Sequence, residues 1–525
     1  MSLSQQANAK HNGHCVYSAK QVLTTEAIVA KSQGLAMYQL MARAGTAAFD
    51  ILQHRWPDAK SILVLAGQGN NGGDGFIIAR LAHLANMQVR VLLNCDVINI
   101  KGDALTAYQA MLDAGVSDVF TDNLAKRTSE FTGDIIVDAI FGIGFYGNLP
   151  KLLQLVVASV NEHPAFVLSV DTPSGLCATT GYVDNDNAIK ADVTVTFIVY
   201  KQGLLTGQAA NFVGDLLLAD LALGPVFRDY LESEVVYQTT IPLLNKVGPL
   251  KVRQKTSHKG NIGQVLTLGG NEGMPGAIRL ASEAALRCGA ALVSVCCHPN
   301  SQALVLNGRP ELMLAPSSAE QLADAAIFNK AKVILLGPGL GQTPWSIALF
   351  DLVVAKLSNS NIAQPETMIS NNTQLVLDAD ALTLLSQTNH YCDHWVLTPH
   401  PKEAARLLDC DVATVEVDRF SAVRAIANKY GGICILKGAG SLISDGEQVV
   451  INSSGNAGMA SGGMGDVLSG VVAALLLQSK DNFSATCMAV YIHGAAGDII
   501  AHTNGQRGML ASDLYTPLQQ LVNQA

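Results

Sequence analysis

The sequence alternates short, almost entirely apolar runs with longer helical patterns, and this alternation restricts the fold more than any other feature. In the first half the runs are SILVLAG, VRVLLN, DIIVDAIF, AFVLSVDTPSG and DVTVTFIVY, separated by stretches such as GFIIARLAHLAN and NLPKLLQLVVASVNE. Strands that are apolar on both faces are typical of parallel sheets covered by helices on both sides. The pattern therefore predicts an α/β fold, with a helical region over about 24–53 before the first of these strands.

The alternation is interrupted between about 230 and 258, where polarity is mixed and no period is sustained. It restarts with GQVLTLGG, ALVSVCCHP, VILLGPGLG, QLVLDADAL, HWVLTPHPKEAARLL and GICILKGAGSLIS, and a helix-rich end follows from Gly465. A chain of 525 residues is too long for one core. We therefore predict two α/β domains, residues 1–245 and 246–525, which share no motif and are not a repeat.

Composition and charge argue against several classes of protein. The formal net charge of −9 is unlike the basic surface of a nucleic-acid-binding protein. The ten cysteines are scattered without zinc spacing, which favours free thiols in a reducing compartment. The N-terminus lacks the apolar stretch of a signal peptide, and the run VVAALLL is much shorter than a membrane span. We expect a cytoplasmic protein that binds small molecules, and neither nucleic acid nor membrane.

The first candidate site is the loop AGQGNNGGDG, directly after a predicted strand. Gly67, Gly69 and Gly72 satisfy the dinucleotide-binding spacing G-x-G-x-x-G, and Asp96 follows the next strand, where a ribose-binding carboxylate would lie. Asp74 argues against an ordinary pyrophosphate loop. A carboxylate at the start of the helix would cap the same amides and repel the phosphate.

Two further polar loops follow strands of the same half, FGIGFYGN after Asp138, and DTPSG. Each loop alone is better explained by a tight turn with a helix cap, but in an open parallel sheet such loops meet at one edge. The side-chain oxygens of Asn70, Asn71, Asp138 and Ser174 suit a hard cation better than an anion. The sequence therefore predicts a cation-organised pocket rather than a hydride-transfer site.

The combination GNNGGDG, VDAIFGIGFYG and SVDTPSG resembles the N-terminal domain of the bifunctional NAD(P)H-hydrate repair enzymes, over roughly residues 20–230. The resemblance implies a Rossmann-like α/β/α sandwich that epimerises the R and S hydrates of NADH and NADPH (NADHX and NADPHX). It implies a potassium ion (K⁺) held by Asn71, Asp138 and Ser174, and Asp171 as the acid/base at C6 of the substrate. The implied substrate contacts are Asn70, Asn71, Gly72, Gly73, Asp74, Gly142, Ile143, Gly144, Phe145, Tyr146, Gly147, Asn148 and Asp171.

The second candidate site is the loop GNAGMASGGMGDVLSG, which precedes an apolar helix. The amides of Gly462 to Gly465 would form an anion site at the start of that helix. Asp466, in the first turn, would then be placed to take a proton from an attacking hydroxyl. The alternative is that Asp466 only caps a core helix, but such caps rarely accompany so many glycines. The sequence contains no P-loop signature.

Together with SHKGNIGQVLTLGG, ILLGPGLG, VLDADAL, LTPHPKEAARLL and LKGAGSLIS, this loop resembles the ribokinase-like superfamily. Within that superfamily it is similar to the dehydratase domain of the same repair enzymes, from about 250 to 520, with Met464 where threonine is more usual. The implied contacts to the hydrate are Ala277, Gly339, His400 and Asp466, and those to the nucleotide are Lys437, Gly438, Ala439, Gly440, Ser441 and Gly465.

The resemblance also implies a reaction for the second domain. Asp466 deprotonates the C6 hydroxyl of the S-hydrate, that oxygen attacks the terminal phosphoryl of ADP or ATP, and phosphate is then expelled to restore the reduced nicotinamide. Mg²⁺ would bridge the nucleotide phosphates. Fused members of the family are more usual in bacteria and generally use ADP, which favours ADP over ATP.

Several alternatives remain open at this point. They are a ribokinase-like kinase for a vitamin precursor, a nicotinamide dehydrogenase and a non-enzymatic nucleotide-binding module. The extra N-terminal domain argues against the first, Asp74 against the second, and the presence of both Asp171 and Asp466 against the third. On sequence alone Lys437 is equally well explained as a solvated lysine. A lone loop histidine such as His400 is more often structural, so its binding role rests mostly on the resemblance. We expect a homo-oligomer, because apolar α/β domains of this type often assemble.

Overall fold

The computed structural model describes residues 15–230, 236–238, 250, 253–358 and 373–523. The chain divides into two compact units that adjoin in sequence at Val236 and Tyr237. The predicted domain boundary between 245 and 246 lies outside the described residues, so its position stays a prediction.

The first unit contains a seven-stranded sheet in which every pairing is parallel. The strands of this half are β1 (Cys15–Val16), β2 (Ser61–Ala66), β3 (Gln88–Leu93), β4 (Val119–Phe120), β5 (Ile135–Ala139), β6 (Phe166–Val170), β7 (Val193–Phe197) and β8 (Asp215–Ala219). The order in the sheet is β4-β3-β2-β5-β6-β7-β8. All its strands therefore end at the same edge, as the alternating sequence predicts.

Helices connect these strands and cover both faces of the sheet. They are Ala19–Ser32, Met37–Arg55, Asn70–Leu84, Gly102–Asp113, Leu124–Ser129, Lys151–Asn161 and Gly224–Tyr230, with 3₁₀ turns at Val97–Asn99, Asp184–Asp186, Gln202–Leu205 and Gly207–Asn211. Neighbouring residues of β2 belong to different cores, Leu63 to one and Val64 to the other. The predicted helical region over 24–53 consists of two helices, because Gly34 takes a left-handed conformation (φ +67°) between them.

The second unit contains a mixed sheet built on parallel pairs. The strands after 230 are β9 (Val236–Gln238), β10 (Gln264–Leu268), β11 (Leu292–Cys296), β12 (Met313–Leu314), β13 (Val333–Leu336), β14 (Gln374–Leu377), β15 (Trp395–Leu397), β16 (Ile433–Leu436), β17 (Leu442–Ser444) and β18 (Val449–Ile451). The order β12-β11-β10-β13-β14-β15-β16 is parallel throughout, and β17 and β18 add antiparallel strands beyond β16.

Helices again alternate with the strands and then end the chain. They are Lys259–Ile262, Pro275–Arg287, Gln302–Leu306, Ala319–Ala323, Ala326–Lys330, Pro344–Ser358, Asp380–Leu385, Pro401–Leu408, Val412–Val417, Arg419–Tyr430, Met464–Gln478, Asn482–Asn504 and Tyr515–Leu521, with 3₁₀ turns at Pro299–Ser301, Ala457–Met459 and Ala511–Leu514. The prediction of two α/β domains with a helix-rich end is confirmed.

Helix Asn482–Asn504 is long and apolar enough to cross a membrane by length and composition alone. However, 67% of its most apolar window is buried inside the protein, as in the core helix of a globular domain.

Helices Pro275–Arg287 and Met464–Gln478 pack together at a glycine. A Cβ added to Gly470 would lie 2.0 Å from the carbonyl oxygen of Ala281, which is a backbone atom and cannot rotate away. The close approach of the two helices therefore requires glycine at this position. Since Met464–Gln478 also carries Asp466 in its first turn, this contact helps to position the second candidate site.

We expect Gly470→Ala to destabilise the protein by about 1–3 kcal/mol, because the extra methyl separates two packed helices despite the better helix propensity of alanine. The midpoint of thermal unfolding measures the effect. Gly276→Ala is the matched control, since that glycine lies in the partner helix and a Cβ there meets nothing within 4 Å. The control should be unchanged or stabilised by up to about 1 kcal/mol through helix propensity. A destabilised control, or an unchanged Gly470→Ala protein, would contradict the packing argument.

Candidate active sites

A cavity of about 540 Å³ lies at the carboxyl ends of strands β2, β5, β6 and β7 in the first unit. Side chains of helices Ala19–Ser32 and Met37–Arg55 form another part of its wall. Of the predicted contact residues, those that line the cavity are Asn70, Asn71, Asp74, Gly142, Ile143, Gly144, Phe145, Tyr146 and Asp171. Gly72, Gly73, Gly147 and Asn148 are not among its lining residues.

The glycine-rich loop differs from the prediction in one respect. The helix already begins at Asn70, its N-cap is Gly69, and its first turn contains no acidic residue. Asp74 lies one turn further on and is buried. The prediction that its carboxylate caps the first amides is therefore wrong. Asp96 is exposed and does not line the cavity, so the ribose-binding alternative gains no support.

Two glycines of this loop are required by close backbone contacts. A Cβ on Gly67 would lie 2.1 Å from the carbonyl oxygen of Ile140, and one on Gly72 would lie 1.9 Å from the carbonyl oxygen of Gly67. The first contact holds the loop after β2 against the loop after β5, and the second lies within the segment that follows β2. Part of the glycine pattern therefore serves packing between loops.

A buried ion pair between Lys201 and Asp171 forms one wall of the cavity. Nζ of Lys201 donates to Oδ1 of Asp171 at 2.5 Å, and also to Oγ1 of Thr196 and the carbonyl oxygen of Phe197, both at 2.9 Å. The Lys201 side chain is only 1% exposed. Asp171 has a left-handed backbone (φ +64°), which its amide stabilises by donating to the carbonyl of Val195.

Two other carboxyl groups share this environment and are pushed toward their neutral forms. Burial, and then the charge of Asp171, raises the pKa of Glu26 to about 7, against the opposing effect of Lys201. Burial raises the pKa of Asp74 well above its usual range, and the charges of Asp171 and Glu26 add to that effect. One ammonium group thus faces three acids, of which it pairs with one.

The residues predicted to hold K⁺ lie around the end of β5. Asp138 is fully buried; its Oδ1 accepts from Oγ of Ser174 at 2.6 Å, and its Oδ2 accepts from the amide of Ser174 at 2.8 Å and from Oγ of Ser169 at 2.9 Å. Burial raises the pKa of Asp138 against these hydrogen bonds.

Asn71 approaches the same loop from the other side. A Cβ on Gly142 would lie 3.2 Å from Oδ1 of Asn71, and Nδ2 of Asn71 has no hydrogen-bond partner within the described part of the chain. Oδ1 of Asn71 and the oxygens of Asp138 and Ser174 are the type of ligand that a cation such as K⁺ prefers, whereas the unpaired Nδ2 is a donor that lacks an acceptor.

The second candidate site is centred on Asp466, in the first turn of helix Met464–Gln478. Gly463 begins this helix in a left-handed conformation (φ +87°). Burial, and then the charge of Asp378, raises the pKa of Asp466 to about 7, although Lys437 acts in the opposite direction. A carboxyl group with this pKa is suited to accept a proton near neutral pH.

Lys437 joins the loops that follow three strands. Its Nζ lies 2.9 Å from Oδ1 of Asp378 and 3.9 Å from Oε2 of Glu403. A Cβ on Gly465 would lie 3.3 Å from the same nitrogen. Burial alone would lower the pKa of Lys437, but Asp378 and Glu403 outweigh burial and raise it. Lys437 is therefore a positive charge next to Gly465 and Asp466, and not a solvated surface lysine.

His400 lies at the start of helix Pro401–Leu408 and caps it. Its Nδ1 accepts from the amides of Lys402 and Glu403, while its own amide donates to Oε2 of Glu403 at 2.8 Å. Burial, followed by the charge of Lys437, lowers the pKa of His400, and burial raises the pKa of Glu403 to about 7. The structural explanation of His400 is thus supported, and the cap also places it beside Lys437.

The other predicted residues of this unit occupy two neighbouring loops. Gly339 adjoins Ala277, since a Cβ on Gly339 would lie 3.2 Å from that of Ala277. Gly438, Ala439, Gly440 and Ser441 connect β16 to β17, where Oγ of Ser441 donates to the carbonyl of Gly438 at 2.9 Å.

Sequence reasoning missed five charged residues that the fold brings into the sites, namely Glu26, Lys201, Asp378, Asp380 and Glu403. The last three lie inside the motif stretches VLDADAL and LTPHPKE, Asp378 and Asp380 just after β14 and Glu403 in the first turn of the helix after β15, which is a usable signal. Glu26 lies on a helix before the first motif, and Lys201 follows the last strand named for the first site, so no motif contains either residue.

Both halves of the chain match known protein families. Residues 37–203 match the family model described as YjeF-related protein N-terminus, and residues 265–520 match the one described as NAD(P)H-hydrate dehydratase. The chain is 40% identical to the bifunctional NAD(P)H-hydrate repair enzyme Nnr of Escherichia coli, over 97% of this chain and 94% of that protein. The chain belongs to the bifunctional NAD(P)H-hydrate repair enzymes.

Other members of this family are similar over their whole length. The Nnr protein of Coxiella burnetii is 38% identical over 97% of this chain and 99% of its own, and the repair enzyme of Leishmania major is 35% identical over 97% and 94%. A crystal structure of the ADP/ATP-dependent NAD(P)H-hydrate dehydratase from Bacillus subtilis covers 54% of this chain and 96% of its own, with 28% identity and a TM-score of 0.47. The predicted family is confirmed.

We expect Asp466→Asn to stabilise this family member at alkaline pH. The folded pKa of Asp466 is raised from an ordinary value of 3.8 to about 7, so the carboxyl group costs stability as pH rises from 3.8 to about 7, and the cost stays constant above that. The cost is at most about 4 kcal/mol, and the neutral amide removes it.

Thermal unfolding of both proteins at pH 5 and pH 8 measures this difference. The gain from Asp466→Asn should be larger at pH 8 than at pH 5. Asp324→Asn, at an exposed acid of the same unit, is the control and should change little at either pH. An equal gain at both pH values would contradict the raised pKa.

Proposed function

We propose that this chain repairs hydrated NADH and NADPH in two steps, one in each unit. The first unit interconverts the R and S hydrates, and the second converts the S-hydrate to the reduced nicotinamide at the expense of ADP or ATP. Full-length similarity to proteins named bifunctional NAD(P)H-hydrate repair enzymes supports both steps. The observation that carries the proposal is Asp466, a carboxyl group with a pKa of about 7 beside Lys437 and a glycine-rich helix start.

In the first unit, the cavity would hold the hydrated nicotinamide between the loops after β2, β5 and β6. A volume of about 540 Å³ is within the range of small-molecule sites, and the lining combines apolar side chains with a few charged groups. Asp171, which lines the cavity and is fixed by Lys201, is the proposed acid/base at C6. The predicted loop contacts, including those outside the cavity lining, would bind the remainder of the dinucleotide.

In the second unit, Asp466 would take the proton from the C6 hydroxyl of the S-hydrate. The alkoxide oxygen then attacks the terminal phosphoryl group, whose bond to the leaving phosphate oxygen breaks. The lone pair of the ring nitrogen expels the new phosphate from C6, and loss of the C5 proton restores the double bond of the reduced nicotinamide. Phosphorylation turns a poor leaving group, hydroxide, into a good one.

Lys437 and the glycine loops are the proposed nucleotide site. The ammonium group would bind phosphate oxygens while remaining paired with Asp378. Gly438, Ala439, Gly440, Ser441 and Gly465 would contact the nucleotide, and Ala277, Gly339 and His400 would contact the hydrate.

Two cations complete the proposal. K⁺ would be held by Asn71, Asp138 and Ser174, supplying a fixed positive charge next to the substrate cavity. Mg²⁺ would arrive with the nucleotide phosphates and neutralise their charge. Asp380 is near enough to Asp466 for its charge to raise the pKa of Asp466, and both are acidic groups of the kind that would bind the water shell of Mg²⁺.

A cytoplasmic location and a homo-oligomeric state belong to the same proposal. All ten cysteines are free thiols, which supports a reducing compartment. The alternative of a kinase differs from the proposal in its product, because a kinase would release the phosphorylated compound without forming NADPH.

The proposal predicts full recovery of NADPH absorbance from a mixture of R- and S-hydrates when ADP or ATP is supplied. Asp466→Asn should lower the recovery rate by about 10²–10⁴-fold, because a general base is lost. Asp171→Ala should recover the S fraction at the normal rate and then stall. Absence of recovery in the folded wild type with both nucleotides would contradict the proposal and favour the kinase alternative.

A further inference from the structure

Glu26 is a carboxyl group that lines the first cavity from a helix outside all the sequence motifs. Val22 and Leu23 of the same helix, with Met37 and Leu40 of the next, are apolar parts of the same wall. A carboxyl group in such a wall has no structural purpose that an apolar residue would not serve better. Its presence in the cavity calls for a chemical role.

Lys201 cannot neutralise Glu26 by a hydrogen bond. An ammonium group has three protons, and those of Lys201 are directed to Asp171, Thr196 and the carbonyl of Phe197. Lys201 therefore holds Asp171 in an ion pair, while Glu26 is left with only a longer-range attraction. The two carboxyl groups of this cavity thus lie in different electrostatic environments, and burial with the charge of Asp171 raises the pKa of Glu26 to about 7.

Inversion at C6 requires such a difference. The hydroxyl group must receive a proton as it leaves, and the water that adds to the other face must lose one. A single group in a single state cannot perform both transfers in the same turnover. A pair of carboxyl groups that holds one proton between them can do so in either direction.

We propose that Glu26 and Asp171 form this pair, with Glu26 as the acid and Asp171 as the base for one direction and the roles exchanged for the other. This inference rests on the proposed epimerase function and identifies the groups that carry it out. Glu26 is the catalytic residue that sequence motifs do not reveal, and Lys201 is a positioning residue that holds the Asp171 side chain in place through the ion pair.

The step balances in atoms and charge. Glu26 donates its proton to the C6 oxygen, the C–O bond breaks with its electron pair on the departing water, and the ring nitrogen lone pair forms a C=N bond. Water then attacks C6 from the opposite face, the C=N electrons return to nitrogen, and Asp171 takes the proton of the attacking water. Solvent exchange restores the first state of the pair.

The pair gives epimerisation a defined pH dependence. The active form holds one proton, and burial together with the charge of Asp171 raises the pKa of Glu26 to about 7. Epimerisation should therefore be lost as pH rises through about 7. The charged and titratable groups that share the cavity with Glu26 are Asp74, Asp103, Tyr146, Asp171 and Lys201.

The test starts from purified R-hydrate of NADPH and the full-length protein, and measures kcat and KM for conversion to the S form between pH 5.5 and 9. Glu26→Gln should lower kcat by about 10²–10⁴-fold, with a smaller change in KM. Glu26→Asp, which keeps a shorter carboxyl group, should recover part of the activity and again lose it at alkaline pH. Glu130→Gln, at an exposed acid of the same unit, should behave as the wild type.

Dehydration of purified S-hydrate is measured with the same protein preparations. It distinguishes failure of the proposed epimerase function from failure of the acid–base pair. If the wild type dehydrates the S-hydrate but does not epimerise the R-hydrate, the proposed function of the first unit is wrong. If the wild type epimerises and Glu26→Gln retains its kcat and its pH profile, the function stands and the acid–base pair is overturned. An effect of Glu26→Gln on KM alone also overturns the pair, because it would make Glu26 a binding residue only.

Discussion

In each unit a single buried lysine holds several carboxyl groups together, and the chemistry proposed for the chain depends on this arrangement. Lys201 pairs with Asp171 in the first unit, and Lys437 pairs with Asp378 in the second. Each lysine pairs with one carboxylate and attracts its other acidic neighbours only from a longer distance. Burial, and then the charges of neighbouring acids, raises the pKa values of these other acids, and those of Glu26, Glu403 and Asp466 reach about 7, where proton transfer is efficient at physiological pH.

The parallel sheets make these clusters possible. Since neighbouring strands end at the same edge, residues that follow different strands meet there without long connections. Asp171 follows β6 and Lys201 follows β7, whereas Asp378 follows β14 and Lys437 follows β16. Glycines at close contacts, such as Gly67 against Ile140, let the loops approach each other. Asp171 has a strained backbone with a φ of +64°, and the ion pair and backbone hydrogen bonds stabilise this conformation.

Much of this follows from the sequence, and the remainder does not, for identifiable reasons. Apolar runs predict the strands correctly because strands buried on both faces have a distinctive composition, and the glycine-rich loops predict the two sites because their spacing is local. Partners that are distant in sequence are different. Lys201 is 30 residues from Asp171, and Lys437 is 59 from Asp378, so no local pattern predicts either ion pair. The predicted capping role of Asp74 is wrong because the helix starts at Asn70, several residues earlier than the sequence pattern indicates.

The measurement that tests the account most directly is a pH titration of the side-chain carboxyl carbons of glutamate by ¹³C NMR. Burial among acidic neighbours raises the pKa of Glu26 in the first unit and of Glu403 in the second to about 7. We expect two signals with midpoints near pH 7, one missing from Glu26→Gln and the other from Glu403→Gln. If both signals titrate near the ordinary glutamate value of about 4.3, the lysine-centred clusters do not tune these acids and the account is contradicted.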